Sequence, residues 1–161
     1  MIKYTLPIAI EDPVWESKLD VDVFFEEYMQ KISTQKEIIE LLPSDIEVSI
    51  VLTNDQDIHA LNREYRNKDK ATNVLSFPQE EDLSLVKKDK HCVLLGDIVL
   101  SHETIQKEAE EQNILFQDHV GHLFVHGFLH LIGFSHDLEE AADRMEELEL
   151  KILEKSQKGE R

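Results

Sequence analysis

The chain has 161 residues, 41% of them apolar, and a formal net charge of -17. That length predicts one domain with a substantial core, and no stretch approaches the ~18 apolar residues of a membrane span. So acidic a chain argues against indiscriminate nucleic-acid binding, because it repels a polyanion.

The charge is unevenly spread. Residues 11–50 carry 11 acidic and 3 basic side chains and residues 101–161 carry 14 and 6, whereas residues 51–100 carry 9 and 7. Any contact with a polyanion should therefore be local, built from Arg63, Arg66, Lys68 and Lys70. Lys87, Lys88 and Lys90 read as ordinary solvated charges. The first residues lack the apolar run of a secretory signal, and the single Cys92 permits no internal disulfide. Both lead to the expectation of a cytoplasmic protein that makes no membrane contact. Cys92 opens an apolar run, Cys92 to Leu95, and reads as a buried structural thiol.

Taken in order, Ile2 to Leu6 alternates apolar and polar residues, as a first strand would. Residues 14–41 read mainly as helix, with room for a break near Ser33 and Thr34, and Pro43 ends the segment. Ile46 to Leu52 is a second strand. Thr53 or Asn54 can cap the following helix, which turns Ile58, Leu61 and Tyr65 inward. Residues 66–72 form a polar loop, Val74 to Pro78 a short strand ended by proline, and residues 79–90 an exposed loop. Cys92 to Leu100 is the strongest strand and is expected to be central. Ser101 is placed to cap a polar helix reaching about Gln112, and a second helix runs from about Phe116 to Ile132. Asp137, with Glu140 three residues on, can cap the last helix. That helix has an apolar face of Leu138, Ala141, Ala142, Met145, Leu148 and Ile152, and a tail that frays from Lys155. This order predicts a single α+β domain in which a four-stranded mixed sheet packs with helices, and a metal site lies on a helix of the C-terminal half.

The metal expectation rests on His126-Gly-Phe-Leu-His130-Leu-Ile-Gly133-Phe-Ser-His136, spaced H-x-x-x-H-x-x-G-x-x-H. Histidines four apart project from one helix face. Gly133 is the residue type that ends a helix in a left-handed turn, after which the chain can return and present His136. Three imidazoles fill three corners of a tetrahedral zinc site and leave the fourth for water, whose pKa falls to near ~7 there. His119, His122, His126 and His130 share one stripe, so His122 with His126 is a rival pair. Gly133 and His136 favour the C-terminal end of the helix, which makes His122 a supporting or core histidine and His119 a surface one. Asp97 or Asp118 could supply the carboxylate that orients a ligand imidazole.

The spacing matches the zinc helix of metzincin proteases, H-E-x-x-H-x-x-G-x-x-H, except that Gly127 stands where those enzymes carry their glutamate base. A protease-like zinc hydrolase would lack a contribution normally worth ~10²–10⁴-fold. The chain resembles a different family more extensively. Residues 126–136, the block LNREYRNKDKATNVLSFP from Leu61 to Pro78, and Leu95-Gly-Asp97-Ile are similar to the signature blocks of the YbeY endoribonucleases, over roughly residues 45–150. Two positions differ: Ser135 stands where that family usually has aspartate, and Asn73 where it often does.

The resemblance implies a zinc-dependent, single-strand-specific endoribonuclease that matures the 3′ end of small-subunit ribosomal RNA and takes part in ribosome quality control. It implies one Zn2+ per chain held by His126, His130 and His136, with Arg66 as the functional arginine beside it. The residues read consistently with this: a guanidinium suits the charge that builds on a phosphodiester's non-bridging oxygens, and Lys68 lies close by in sequence as a second cation for substrate. With so acidic a bulk, delivery of RNA by the ribosome or a ribosome-associated protein is expected. The remaining alternative is a non-catalytic ribosome-associated factor with a structural zinc, which would require a fourth protein ligand.

Overall fold

The computed structural model describes residues 2–79, 92–134 and 139–159, the last five by backbone alone. Its sheet contains β1 (Lys3–Thr5), β2 (Ile8–Ile10), β3 (Asp45–Thr53), β4 (Val74–Pro78) and β5 (Val93–Ser101). Four strand positions, in the order β1-β3-β5-β4, hold these five strands, because β2 also pairs with β3. Lys3–Thr5 runs parallel to Asp45–Glu47, and Ile8–Ile10 runs parallel to Ile50–Leu52. Pro7, with no N–H to give a ladder, falls between the two pieces, and its carbonyl accepts from Ile50 N at 2.9 Å. β3 and β5 are parallel, β4 and β5 antiparallel, so the sheet is mixed, with β5 inside and β4 on an edge.

Along β3 the side chains alternate, Ile46, Val48, Ile50 and Leu52 entering the main core. That core also contains Phe25 and Met29 from α2 (Val21–Ser33), Phe124 and Phe128 from α6 (Phe116–Leu131), and Met145, Leu148 and Ile152 from α7 (Glu139–Gly159). α6 is mostly buried, its apolar side chains packed in the core and its histidines along one stripe. The opposite face of the sheet holds a smaller cluster of Ile58, Leu75 and Val99, where α4 (Asp55–Arg66) packs. Trp15 on α1 (Val14–Lys18) is fully buried and donates Nε1–H to the Thr53 carbonyl at 2.8 Å.

The expected long helix over residues 14–41 is three: α1, α2 and α3 (Lys36–Leu41). One break follows Ser33 as expected, and another comes at Leu19, whose backbone is extended. Asn54 caps α4 by accepting from Asp57 N at 3.0 Å. Ser101 precedes α5 (His102–Gln112), but its hydroxyl donates to Asp55 Oδ1 at 2.6 Å instead of capping that helix. Cys92 is exposed, contrary to the expected buried thiol. β5 begins one residue later, and Cys92 sits in a left-handed turn at φ +52, outside the alternation that buries the strand. Tyr65, expected inside with Ile58, is 57% exposed. The proposed cap at Asp137, Leu138, and all but the first residue of the 79–90 loop lie outside the described residues.

Candidate functional site

α6 brings His126 and His130 onto one face, one turn apart. The helix then ends as its glycine predicts. Gly133 has φ +100, Gly133 N–H donates to the His130 carbonyl at 3.1 Å, and Phe134 N–H donates to Leu129 at 3.0 Å. These are the two bonds of a Schellman turn. The turn also carries Phe134 O to 3.0 Å from His130 Nδ1. A carbonyl can only accept, so His130 Nδ1 bears the proton.

His126 is held in the same way by a different acceptor. Its Nδ1 lies 2.6 Å from Glu149 Oε1, while Glu149 Oε2 lies 3.3 Å from His122 Nε2. Burial alone would raise the Glu149 pKa, but hydrogen bonds from His122 and His126, together with their charge, overcome it and hold the pKa at about 2. Glu149 is therefore ionised at neutral pH and accepts the His126 Nδ1 proton.

Each ring thus has its Nδ1 turned to an acceptor, which directs its Nε2 towards the other ring. The two Nε2 atoms are 3.0 Å apart. Two zinc-ligating nitrogens in a tetrahedral site sit about 3.3 Å apart, from Zn–N of about 2.0–2.1 Å. The pair, with each ring oriented through its other nitrogen, fits a metal centre. Among the described residues no set of three His, Cys, Asp or Glu side chains converges on one point. The expected third ligand, His136, lies outside them, as does Ser135.

The same two histidines line a cleft of about 850 Å³ together with Arg66, Lys68, Asn73 and Ser76. The sequence separation between Arg66 and His126 is closed by local structure. Arg66 ends α4, and Asn67 follows in a left-handed conformation at φ +57, with its N–H and that of Lys68 both on Asn62 O. The buried Asn62 side chain donates to Lys70 O at 3.0 Å and fixes this turn. Arg66 Nη2 donates to Ser76 O at 2.7 Å, and the guanidinium carbon lies 4.9 Å from the Phe77 ring centre. Asp69 does not hold Arg66; it bonds His59 at 2.7 Å. Among the described residues, no carboxylate lies within salt-bridge distance of Arg66 or Lys68.

β4 meets α6 at Gly127, where Ser76 Oγ donates to Gly127 O at 2.9 Å. A Cβ at Gly127 would lie 3.0 Å from Ser76 Oγ and 3.2 Å from Ile98 Cγ2. The glycine that replaces a protease's glutamate is thus what allows the edge strand, and Arg66 anchored on it, to approach the histidine helix.

Two expectations about the site need correction. The carboxylate that orients a site histidine is neither Asp97 nor Asp118 but Glu149, which sequence reasoning missed. Its signal was present: Glu149 follows Leu148 on the stripe Met145, Leu148, Ile152 that forms the inner face of α7, where a charge needs a partner. His119 is not a surface residue; it is buried and its Nε2 lies 2.9 Å from Glu108 Oε1. That same oxygen accepts from Asn73 Nδ2 at 2.8 Å, so the amide at residue 73 supplies a donor that aspartate could not.

The family model described as Endoribonuclease YbeY matches residues 11–157. A protein from Agrobacterium fabrum called Endoribonuclease YbeY is 40% identical over 156 residues, covering 95% of this chain and 91% of the relative. One of the same name from Sphingopyxis alaskensis is 50% identical over 111 residues, covering 67% of this chain and 66% of the relative. The solution structure of TM1509 from Thermotoga maritima superposes with a TM-score of 0.58 at 22% identity, over 96% of this chain and 93% of that one, a likeness of fold. No helix among the described residues is long and apolar enough to cross a membrane. The chain belongs to the Endoribonuclease YbeY family.

Proposed function

We propose that this chain is a zinc-dependent endoribonuclease that cleaves single-stranded RNA, with His126, His130 and His136 holding one Zn2+ and Arg66 and Lys68 holding the phosphate. The observation that carries the reading is the pair of Nε2 atoms 3.0 Å apart, each ring tied through its Nδ1, in a cleft shared with two cations. Zinc bound there would supply Lewis acidity towards a phosphodiester oxygen.

The chain's own groups do the rest. Glu149 and the Phe134 carbonyl keep both imidazoles in the tautomer that presents Nε2. The Ser76 carbonyl takes an Nη2 N–H of Arg66 at 2.7 Å and the Tyr65 carbonyl an Nη1 N–H at 3.5 Å, which fixes the plane of the fork, and the N–H groups left over can take phosphate oxygens. Charge that builds on those oxygens as the phosphorus becomes five-coordinate is stabilised by the guanidinium and by the Lys68 ammonium. Gly127 has no side chain to serve as a base, which disfavours the protease-like alternative.

Ribosomal RNA as substrate, specifically the 3′ end of the small-subunit RNA, follows from the family resemblance, as do a role in ribosome quality control and a cytoplasmic location. The charge of -17 is consistent with delivery by the ribosome or a ribosome-associated protein, since isolated RNA meets repulsion away from the cleft. Chelation tests the metal requirement. Cleavage of a single-stranded RNA should stop on removal of metal and return with stoichiometric zinc; cleavage that continues in metal-free protein would contradict the reading.

A further inference from the structure

Tyr65, exposed, and Phe77, half-buried, form an aromatic pair that the phosphate-holding role of the cleft does not use. Tyr65 is 57% exposed, an unusual position for a large aromatic ring. It is not loose, because its ring stands against Phe77 with centroids 5.5 Å apart at an interplanar angle of 70°. The Arg66 guanidinium also lies against Phe77, 4.9 Å from its ring centre. Phe77 is itself packed against the cluster of Ile58, Leu75 and Val99 beneath α4. One anchored ring therefore braces both the phosphate-holding arginine and a solvent-facing tyrosine.

The pair adjoins the cleft through Arg66, which lines it and whose guanidinium lies against Phe77. Tyr65 precedes Arg66 on α4, and the Phe77 ring that braces it is the one the Arg66 guanidinium covers. A nucleotide whose phosphate rests on Arg66 has its base within a few ångströms of that phosphate. An aromatic face at that distance is the group that takes an unpaired base by stacking.

We infer that Tyr65, braced by Phe77, is a base-stacking subsite for an unpaired nucleobase of single-stranded RNA next to the phosphate held by Arg66. The inference rests on the proposed endoribonuclease function and adds the means by which a chain of net charge -17 grips its substrate. Stacking involves the uncharged base, so the acidic surface does not weaken it as it weakens backbone contacts. Every base has a π-face, so the subsite is tolerant of sequence. A base paired within a duplex is already stacked and cannot reach it, which favours single strands.

The test is binding of single-stranded RNA oligonucleotides, each carrying 2-aminopurine at a different position, to the full zinc-loaded chain. Fluorescence is read after rapid mixing, and affinity is measured in parallel. One position should show strong quenching. Tyr65→Ala should lose that quenching and bind about tenfold or more weakly, the scale of one base stacked on an aromatic ring. Tyr65→Trp should retain both. An abasic nucleotide at that position should weaken the wild type but leave Tyr65→Ala unaffected, a coupling that a merely structural role would not give. Should Tyr65→Ala lose its native circular dichroism, Tyr65→Leu serves in its place. Unchanged quenching and affinity in the alanine or leucine variant overturns the subsite, as does an abasic penalty equal in both proteins. If quenching follows these rules but no RNA is cleaved, the nuclease reading falls and the subsite stands; if RNA is cleaved and Tyr65 has no effect, the reverse holds.

Discussion

His126 and His130 face each other through Nε2 atoms 3.0 Å apart, and each ring is tied by its Nδ1 to an acceptor that cannot donate. Such a pair is arranged to share a cation. Zinc should therefore bind one to one, and His126→Ala or His130→Ala should abolish stoichiometric loading. Glu149→Gln keeps the shape but removes the charge behind His126, and should weaken zinc binding about 10–100-fold. Chelator competition measures both, and full zinc affinity in the double histidine variant would refute the site.

Ser76 joins the two halves of the cleft. Its hydroxyl donates to Gly127 O and its carbonyl holds Arg66. Ser76→Ala removes only the hydroxyl bond, a loss of about 0.5–1.5 kcal/mol. In a chain of this length each kcal/mol lowers Tm by about 2–4 °C. A thermal melt checks this, and an unchanged Tm would mean that the bond contributes nothing to joining β4 to α6.

Gly127→Glu would install the residue that metzincin proteases carry at this position. The new Cβ would meet Ser76 Oγ at 3.0 Å, Ile98 Cγ2 at 3.2 Å and Val74 Cγ2 at 3.4 Å. Overpacking of this kind costs about 1–3 kcal/mol, so a lowered denaturation midpoint and no peptidase activity are expected. Wild-type stability together with peptide cleavage would show that the glycine is incidental.

Asp12 clamps the N-terminal segment to α4 and α5. It accepts from Val14 N at 3.0 Å, lies 3.0 Å from His102 Nε2 and accepts from Asn54 Nδ2 at 3.1 Å. The backbone bond from Val14, then those from His102 and Asn54, hold its pKa below the usual 3.8. A depressed carboxyl pKa stabilises the fold above the unfolded-state value, and the contribution disappears as pH falls through the lower folded-state value. Asp12→Asn should therefore be less stable than wild type at neutral pH, with the gap closing only below about pH 4. Urea melts across that range read the gap, and a constant difference would contradict the linkage.

Elements governed by local rules were legible in the sequence. Val74 to Pro78 was bounded correctly because alternation and a terminal proline act within the strand. The shared face of His126 and His130, and the turn at Gly133, follow from helix geometry and one residue's conformational range. What was missed depends on contacts between distant elements. Glu149 is 23 residues from His126, and the proximity exists only once α7 packs on α6. His119 looked exposed because nothing local announces Glu108 on α5 as its partner. Cys92 was misplaced because an apolar run does not say at which residue a strand begins. Arg66 and Lys68 were legible as cations, while the Ser76 carbonyl that aims the arginine was not, since backbone acceptors leave no trace in a sequence.

The most direct test of the central claim is the initial rate at which nuclease-free, zinc-loaded protein cleaves a single-stranded RNA, compared among wild type, His126→Ala and Arg66→Ala. Wild type should cleave, His126→Ala should fall to background, and Arg66→Ala should lose about 10²–10³-fold, the scale of removing one donor to a charged transition state. Undiminished cleavage by either variant would contradict the account.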